Sequence, residues 1–259
     1  MNFDAYAPAA IRERVSVAAA TKAATPAGRI FVLAVLAGVF IGLGAIASLV
    51  VSGVGSPPDS GVLRMAAGLA FSVGLALVVV AGAELFTGDN LMVMGWVDGR
   101  VSLGELARTW AIVAAGNVVG SVVLAVAWAW SGPHADVVTR TLAVAAGKAA
   151  LGAGPACLRG VLCNVLVCLA VWGVFSCRST GEKLLVVMLP VATFVAAGFE
   201  HSVANVFIFG SAWMLGPIDV PGALHNLAWV TLGNIFGGSG LVAGAYLFAY
   251  GRAPTPPAA

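Results

Sequence analysis

Apolar residues fill most of this chain in long runs that polar residues interrupt at few points. An apolar run of about 20 residues is enough to cross a hydrocarbon core of about 30 Å. Four runs predict uninterrupted spanning helices, and they are Ile30–Val54, Thr109–Trp130, a stretch within Ala149–Cys177, and Ala223–Tyr250. The predicted connections are a turn at Gly55–Pro58, a polar loop containing His134, Asp136 and Arg140, and a short loop at Arg178–Lys183.

Two further apolar runs, Gly61–Trp96 and Leu184–Gly216, are too long for one straight crossing. A helix of roughly 36 residues would reach about 54 Å, whereas two crossings with a turn between them need more chain. Polar residues interrupt both runs, at Glu84 with Thr87–Asn90 and at Glu200–Ser202. Each run therefore predicts one crossing made by a broken helix, which gives six spanning helices with the second and fifth broken.

The composition supports a polytopic membrane protein built only of α-helices. Hydrophobic residues make up 60% of the chain and charged residues 9%. This balance excludes a soluble domain, and the scattered cations form no block that would bind nucleic acid. The cysteines lack metal-site spacing and are interpreted as small buried apolar residues, namely Cys157, Cys163, Cys168 and Cys177.

The ends of the chain predict an orientation in the cell membrane. Residues 1–28 lack a signal-peptide pattern and predict a cytoplasmic segment, either a helix lying on the membrane with Ile11, Val15, Val17 and Ala18 on its apolar side or a loosely ordered tail. Residues 29–251 form the predicted channel domain, and 252–259 a cytoplasmic tail. When loops are assigned to alternate sides, one side holds most of the Lys and Arg residues, so both termini are expected in the cytoplasm.

The two broken runs resemble each other. Glu84 is followed by Asn90 and Glu200 by Asn205, and each half then continues into a Gly-Asn pair, Gly116-Asn117 or Gly233-Asn234. These matches predict two repeats of three spans each, at about 29–131 and at about 141–250. Because three is an odd number of crossings, the second repeat is inverted in the membrane relative to the first. Broken helices at matching positions meet near the midplane and indicate a permeation path, although kinks in a membrane enzyme or scaffold are the alternative.

The chain resembles the formate/nitrite transporter family over nearly its whole length, and four stretches carry the resemblance. They are Ala83–Gly88, Gly116-Asn117, Leu162–Trp172 and Gly198–Asn205. The resemblance implies an aquaporin-like protomer, a homopentamer in the inner membrane, and a channel with no cofactor rather than an enzyme. The amino-acid sequence of Leu224–Asn234 and the short connection from Trp213 to His225 are most similar to the nitrite branch.

The resemblance also implies roles for individual residues. His201 matches the central pore histidine, Thr87 the threonine of a mobile loop, Asn164 a residue hydrogen-bonded with that histidine, and Lys148 an outer-vestibule lysine. The implied constrictions pair Leu75 with Phe194 on the cytoplasmic side and Phe71 with Leu85 on the periplasmic side. Asp89 departs from the family pattern, and Arg159 resembles a lysine of the nitrite branch.

His201 is the residue expected to handle a proton, because it has no counterpart in the first repeat, where Leu85 stands. An anion crosses apolar rings at a cost of several kcal/mol unless its charge is balanced. We expect that Lys148 attracts the anion and that His201 then exchanges a proton with it or hydrogen-bonds it. Glu84, Asn90, Glu200 and Asn205 are expected to hold the two breaks in shape.

The expected cargo is nitrite, which crosses the lipid bilayer as the weak acid or as an anion accompanied by a proton. Formate, hydrosulfide or another small weak-acid anion is the alternative within the same family. A neutral-solute pore of aquaporin type is the alternative of another class, but Asn90 and Asn205 are not followed by the Pro-Ala that such pores use.

Overall fold

The computed structural model describes residues 5–53 and 60–251, and this part of the chain is built of helices. The predicted turn at Gly55–Pro58 and the predicted tail at 252–259 lie outside the described residues. The α-helices are α1 (Pro8–Ala24), α2 (Ala27–Gly53), α3 (Gly61–Ala81), α4 (Val93–Val97), α5 (Leu103–Trp130), α6 (Ala135–Ala149), α7 (Ala153–Ser176), α8 (Thr180–Ala196), α9 (Ser202–Leu215), α10 (Val220–Ile235) and α11 (Gly244–Tyr250). A 3₁₀ turn at Gly88–Met92 precedes α4, and π-helical turns at Phe236–Ala243 join α10 to α11.

Five helical stretches are long and apolar enough to cross a membrane. They are α2, α3, α5, α7 and the continuous stretch Val220–Tyr250 that contains α10 and α11. The prediction of an all-helical chain is confirmed. Within the described residues, α2 packs against α3 and α5, while α7 packs against α8 and α10.

The predicted polar loop around Asp136 and Arg140 is wrong, because these residues belong to helix α6. Val137, Thr141 and Ala145 recur every four residues and are buried, so the helix presents a narrow apolar stripe to its neighbours. Its short length concealed this pattern among the longer runs.

The N-terminal segment is a helix, not a loosely ordered tail. Ile11 and Val15 pack into a buried cluster with Leu91 and Met94 rather than facing outward, whereas Val17 is exposed. Arg12 is also buried, and its guanidinium pairs with the carboxylate of Asp98. Because a buried charge is stabilised only by a partner of opposite sign, this ion pair fixes α1 against the chain that follows α4. The placement of α1 on a membrane surface stays a prediction.

Both predicted breaks are present, and a glycine with left-handed backbone ends the helix before each one. Gly82 follows α3 with φ of 77°, and Gly198 follows α8 with φ of 70°. Glycine adopts this conformation without the steric cost that a Cβ would bring. The chain then runs without regular structure to Gly88 in the first break and to Ser202 in the second.

Candidate functional site

The first break is held by the side-chain amide of Asn117, which projects from α5. Asn117 Oδ1 accepts the backbone N–H of Phe86 at 2.9 Å. Its Nδ2 donates to the carbonyl of Glu84 at 2.9 Å and to that of Ala34 at 2.7 Å. One buried amide therefore satisfies the backbone groups that the break removes from helical hydrogen bonding, which lowers the cost of irregular backbone away from water.

The second break is held in the same way by Asn234, which projects from α10. Asn234 Oδ1 accepts the N–H of Ser202 at 2.9 Å, and Nδ2 donates to the carbonyls of Glu200 at 3.0 Å and Gly160 at 2.8 Å. Asn234 therefore donates to the backbone carbonyls of Glu200 and Gly160, just as Asn117 donates to those of Glu84 and Ala34. Both asparagines were visible in the sequence as parts of Gly-Asn pairs, but their function as clamps was not predicted.

Each break also carries a glutamate that is paired with a lysine from a preceding helix. Lys148 of α6 donates to both carboxylate oxygens of Glu200, at 2.9 and 3.0 Å. Asn205 donates to the same carboxylate at 2.6 Å and to the side chain of Asn226 at 2.9 Å. Because Glu200 is 3% exposed, this network satisfies a carboxylate that would otherwise be buried alone.

Lys22 of α1 is the corresponding lysine of the first break, and it was not predicted from the sequence. Its ammonium pairs with Glu84 and also with Asp89, the acidic residue that departs from the family pattern. Burial opposes the charge on Lys22, but the carboxylates of Asp89 and Glu84 outweigh it and raise the pKa of the ammonium above its usual value. Lys22 is therefore a permanent cation at physiological pH.

His201 and Thr87 connect the two breaks. His201 Nε2 lies 2.9 Å from Thr87 Oγ1, and both side chains are buried. His201 also caps α9, because its Nδ1 accepts the backbone N–H of Ala204 at 3.2 Å. A ring nitrogen that accepts a hydrogen bond carries no proton, so the neutral imidazole bears its proton on Nε2 and donates it to Thr87. The hydroxyl proton of Thr87 is then free to point to another acceptor.

Asn164 lies beside this pair but bonds differently from the expectation. Its Nδ2 donates to the carbonyl of Thr87 at 3.1 Å, to Asn90 Oδ1 at 2.8 Å and to the carbonyl of Asn234 at 2.7 Å. The expected hydrogen bond to His201 is not among its contacts in the described structure. Asn164 therefore positions the backbone of Thr87, and the histidine contacts the threonine directly.

Two cavities approach the His201–Thr87 pair from opposite directions. The larger one, about 400 Å³, is lined by Lys148, Glu200 and His201 and by three arginines, Arg64, Arg140 and Arg159. We call it the arginine cavity. The smaller one, about 240 Å³, is lined by Lys22, Glu84 and Asp89, and we call it the Lys22 cavity.

Two pairs of apolar residues line the cavities. Phe71 and Phe194 both line the arginine cavity, and their ring centroids lie 5.7 Å apart in an edge-to-face arrangement. Leu75 and Leu85 both line the Lys22 cavity. The predicted constrictions, Leu75 with Phe194 and Phe71 with Leu85, stay a prediction, and the ring contact adds a direct partnership of Phe71 with Phe194. Sequence spacing along α3 could not show which partner each residue of the helix faces.

Comparisons with known proteins agree with this geometry. The family model described as formate/nitrite transporter matches residues 9–248. The chain is 34% identical over 275 residues to the formate channel FocA of Escherichia coli K12, with 96% of each chain covered. It is 35% identical to the nitrite transporter NirC of Salmonella typhimurium, covering 87% of this chain and 85% of NirC. A solved structure titled "Pentameric formate channel with formate bound" matches with a TM-score of 0.74 and 34% identity, covering 86% of this chain and 97% of that one.

Proposed function

The chain belongs to the formate/nitrite transporter family, and from this membership and the site geometry we propose that it is a membrane channel for small monovalent anions such as nitrite and formate. The resemblance that the sequence suggested is confirmed at the level of the family. FocA and NirC match at 34% and 35% identity, which does not separate formate from nitrite. The proposed cargo is therefore the class that both anions share, a planar oxyanion with one charge delocalised over two oxygens.

The proposed architecture has six crossings arranged as two inverted repeats in an aquaporin-like protomer, with repeat 1 at about 29–131 and repeat 2 at about 141–250. The five long helical stretches supply most of the crossings, and α8 with α9 supplies the remaining one across its break. The matched contacts of Asn117 and Asn234 support the repeat. So does the position of Lys22, which precedes Ala34 by twelve residues just as Lys148 precedes Gly160.

The proposed orientation places both termini in the cytoplasm of a multi-pass cell-membrane protein. The basis is the excess of Lys and Arg in the loops on one side of the chain. In this orientation the arginine cavity opens to the outside and the Lys22 cavity to the cytoplasm. A homopentamer is the proposed assembly, because one of the solved structures to which the chain is similar is a pentameric formate channel.

The observation that carries the proposal is the His201–Thr87 contact. It joins the two breaks, with His201 Nε2 lying 2.9 Å from Thr87 Oγ1. His201 lines the arginine cavity, and Gly88, which follows Thr87 in the chain, lines the Lys22 cavity. Phe71 and Phe194 line the arginine cavity together with His201, and the Phe194 ring stacks on the imidazole with centroids 6.0 Å apart. Leu85, two residues before Thr87, lines the Lys22 cavity. An anion crossing these apolar residues would meet hydrogen-bond donors at this pair.

The geometry supports hydrogen bonding rather than a permanently charged histidine. A second proton on His201 would have to go to Nδ1, which already accepts the N–H of Ala204. It would also put a positive charge at the N-terminus of α9, where the helix dipole is already positive. We propose instead that neutral His201 donates a hydrogen bond to Thr87 and that the Thr87 hydroxyl donates a hydrogen bond to the anion.

The N-terminus of α9 contributes to the same site. The partial positive charge of a helix N-terminus stabilises an anion that lies close to it. Together, the Thr87 hydroxyl and the α9 N-terminus replace part of the hydration that an anion loses between the phenylalanine pair and the leucine pair. Proton exchange with His201 is the alternative, and it would make transport depend on a doubly protonated ring.

Flux through reconstituted protein tests the proposal. Proteoliposomes loaded with formate or nitrite are expected to show anion flux that the variant His201→Phe reduces strongly, because it removes the donor that orients Thr87. His134→Phe is the matched control, since His134 lies at the N-terminus of α6 and lines neither cavity. Equal flux through the wild type and His201→Phe would refute the assignment of the pore to this pair.

The same assay tests the alternative of another class. A neutral-solute pore would pass glycerol or water at rates unaffected by the charge of a competing anion.

A further inference from the structure

Three arginines from three different helices surround the arginine cavity. Arg64 lies in the first turn of α3, Arg140 on α6 and Arg159 on α7. Arg140 donates to Ser52 Oγ at 3.3 Å. In the part of the chain that the structure describes, Arg64 and Arg159 have neither an ion-pair partner nor a side-chain hydrogen bond, so their guanidinium donors are available to a ligand.

The charge of the arginine cavity exceeds what its own carboxylate can balance. The described lining residues include four cations and one carboxylate, Glu200, which gives a net charge of +3. Lys148 is the cation that Glu200 binds, with both carboxylate oxygens within 3.0 Å. The arginines therefore supply the positive field of the cavity, and Lys148 is largely neutralised by its partner.

The Lys22 cavity has the opposite charge. Its described lining residues include one cation, Lys22, and two carboxylates, Glu84 and Asp89, for a net charge of −1 when all three are ionised. Anions are therefore concentrated at one end of the path and not at the other. The asymmetry is local, because the whole chain has a formal net charge of only +2.

The chemistry of the guanidinium group specifies the ligand. Its planar fork of N–H donors binds the paired oxygens of carboxylates and other oxyanions, and several arginines together favour a ligand with more than one negative charge. A divalent oxyanion is also much more costly to dehydrate than a monovalent one. The edge-to-face rings of Phe71 and Phe194, which line the same cavity, offer it no hydrogen bond in return.

We propose that the arginine cavity is a docking site for oxyanions, from which monovalent ones continue toward His201 while divalent ones such as sulfate remain bound and block the path. The binding follows from the arginines alone, whereas the block rests on the proposed channel function. Sulfate should therefore act from the side of the arginine cavity and not from the side of the Lys22 cavity.

Calorimetry on the purified, detergent-solubilised protein tests the docking site without any transport. We expect saturable binding of sulfate at constant ionic strength, and a dissociation constant at least about tenfold larger in the double variant Arg64→Gln/Arg159→Gln, since these two arginines have the guanidinium donors that are free to form charge-assisted hydrogen bonds with the ligand. Arg108→Gln is the matched control, because Arg108 is an exposed arginine at the start of α5 that lines neither cavity. Absence of sulfate binding, or equal weakening in the control, would overturn the site.

Planar bilayers test the block separately. Sulfate added to one compartment of a bilayer containing oriented protein should inhibit the formate current, and the same concentration on the other side should not. Equal inhibition from both sides, or none from either while formate current persists, would refute the block. If no formate or nitrite passes at all, the proposed function fails, and the calorimetric result still decides whether the arginines bind oxyanions.

Discussion

Replacing Thr87 by valine tests the central contact with almost no change in side-chain volume. The substitution removes Oγ1, which lies 2.9 Å from His201 Nε2. It therefore also removes the hydrogen bond that we propose the Thr87 hydroxyl donates to the permeating anion. A hydrogen bond to a charged group contributes about 1.5–3 kcal/mol. Because about 1.4 kcal/mol corresponds to a tenfold change in rate, we expect Thr87→Val to lower formate or nitrite flux by about 10-fold to about 150-fold.

The same substitution affects stability, because it leaves the Nε2–H of His201 without its partner in a buried position. This loss is expected to destabilise the protein by about 1–3 kcal/mol. Flux is measured in proteoliposomes at matched protein density, and folding is checked by thermal unfolding in detergent. Thr87→Ser retains the hydroxyl and should recover most of the flux. If folded Thr87→Val conducts within a factor of two of the wild type, the Thr87 hydroxyl is not part of the path.

Two further substitutions test how the breaks and the helices are held. Asn234→Leu removes three hydrogen bonds of 2.8 to 3.0 Å that hold the second break, and at about 1 kcal/mol each we expect a loss of roughly 3 kcal/mol, seen as a lower midpoint of thermal unfolding; an unchanged midpoint would refute the clamp. Gly120→Ala would place a Cβ 2.0 Å from the carbonyl oxygen of Val35, so α2 and α5 must separate and the midpoint should fall, while Gly154→Ala, which has nothing within 4 Å, should leave it nearly unchanged. Equal midpoints for the two alanine variants would contradict this packing.

The apolar runs and their interruptions were sufficient to predict the helical class and the positions of both breaks. The breaks were visible because Glu84 and Glu200 stand inside runs that are otherwise apolar, and irregular backbone in such surroundings needs polar partners. Helix α6 was not predicted because no long hydrophobic run marks it, and its buried residues Val137, Thr141 and Ala145 recur every four residues over only a short segment.

The sequence motifs predicted individual residues of the candidate site, but they did not show which of these residues contact each other. His201 and Thr87 belong to separate motifs, and only the fold shows that they touch. The partnership of Phe71 with Phe194 depends on how α3 is rotated against α8, which the sequence does not determine. Lys22 was hidden in a segment interpreted as a surface helix or a tail, although its spacing to Ala34 repeats that of Lys148 to Gly160 and could have identified it.

The interpretation of Lys148 also changed once its contacts were known. The sequence suggested an anion-attracting lysine, but in the structure its ammonium is bound by both oxygens of Glu200. Arg64, Arg140 and Arg159, on α3, α6 and α7, line the same cavity and add positive charge that Glu200 does not pair. Such a cluster becomes apparent only when the helices are packed.

Electrical recording from the reconstituted protein tests the account most directly. With formate or nitrite as the only permeant ion in a gradient across a planar bilayer, we predict a current whose reversal potential follows the anion gradient and which His201→Phe largely abolishes. A folded, reconstituted wild type that passes neither anion, or a current that persists unchanged in His201→Phe, would contradict the claim that anions permeate past the His201–Thr87 pair.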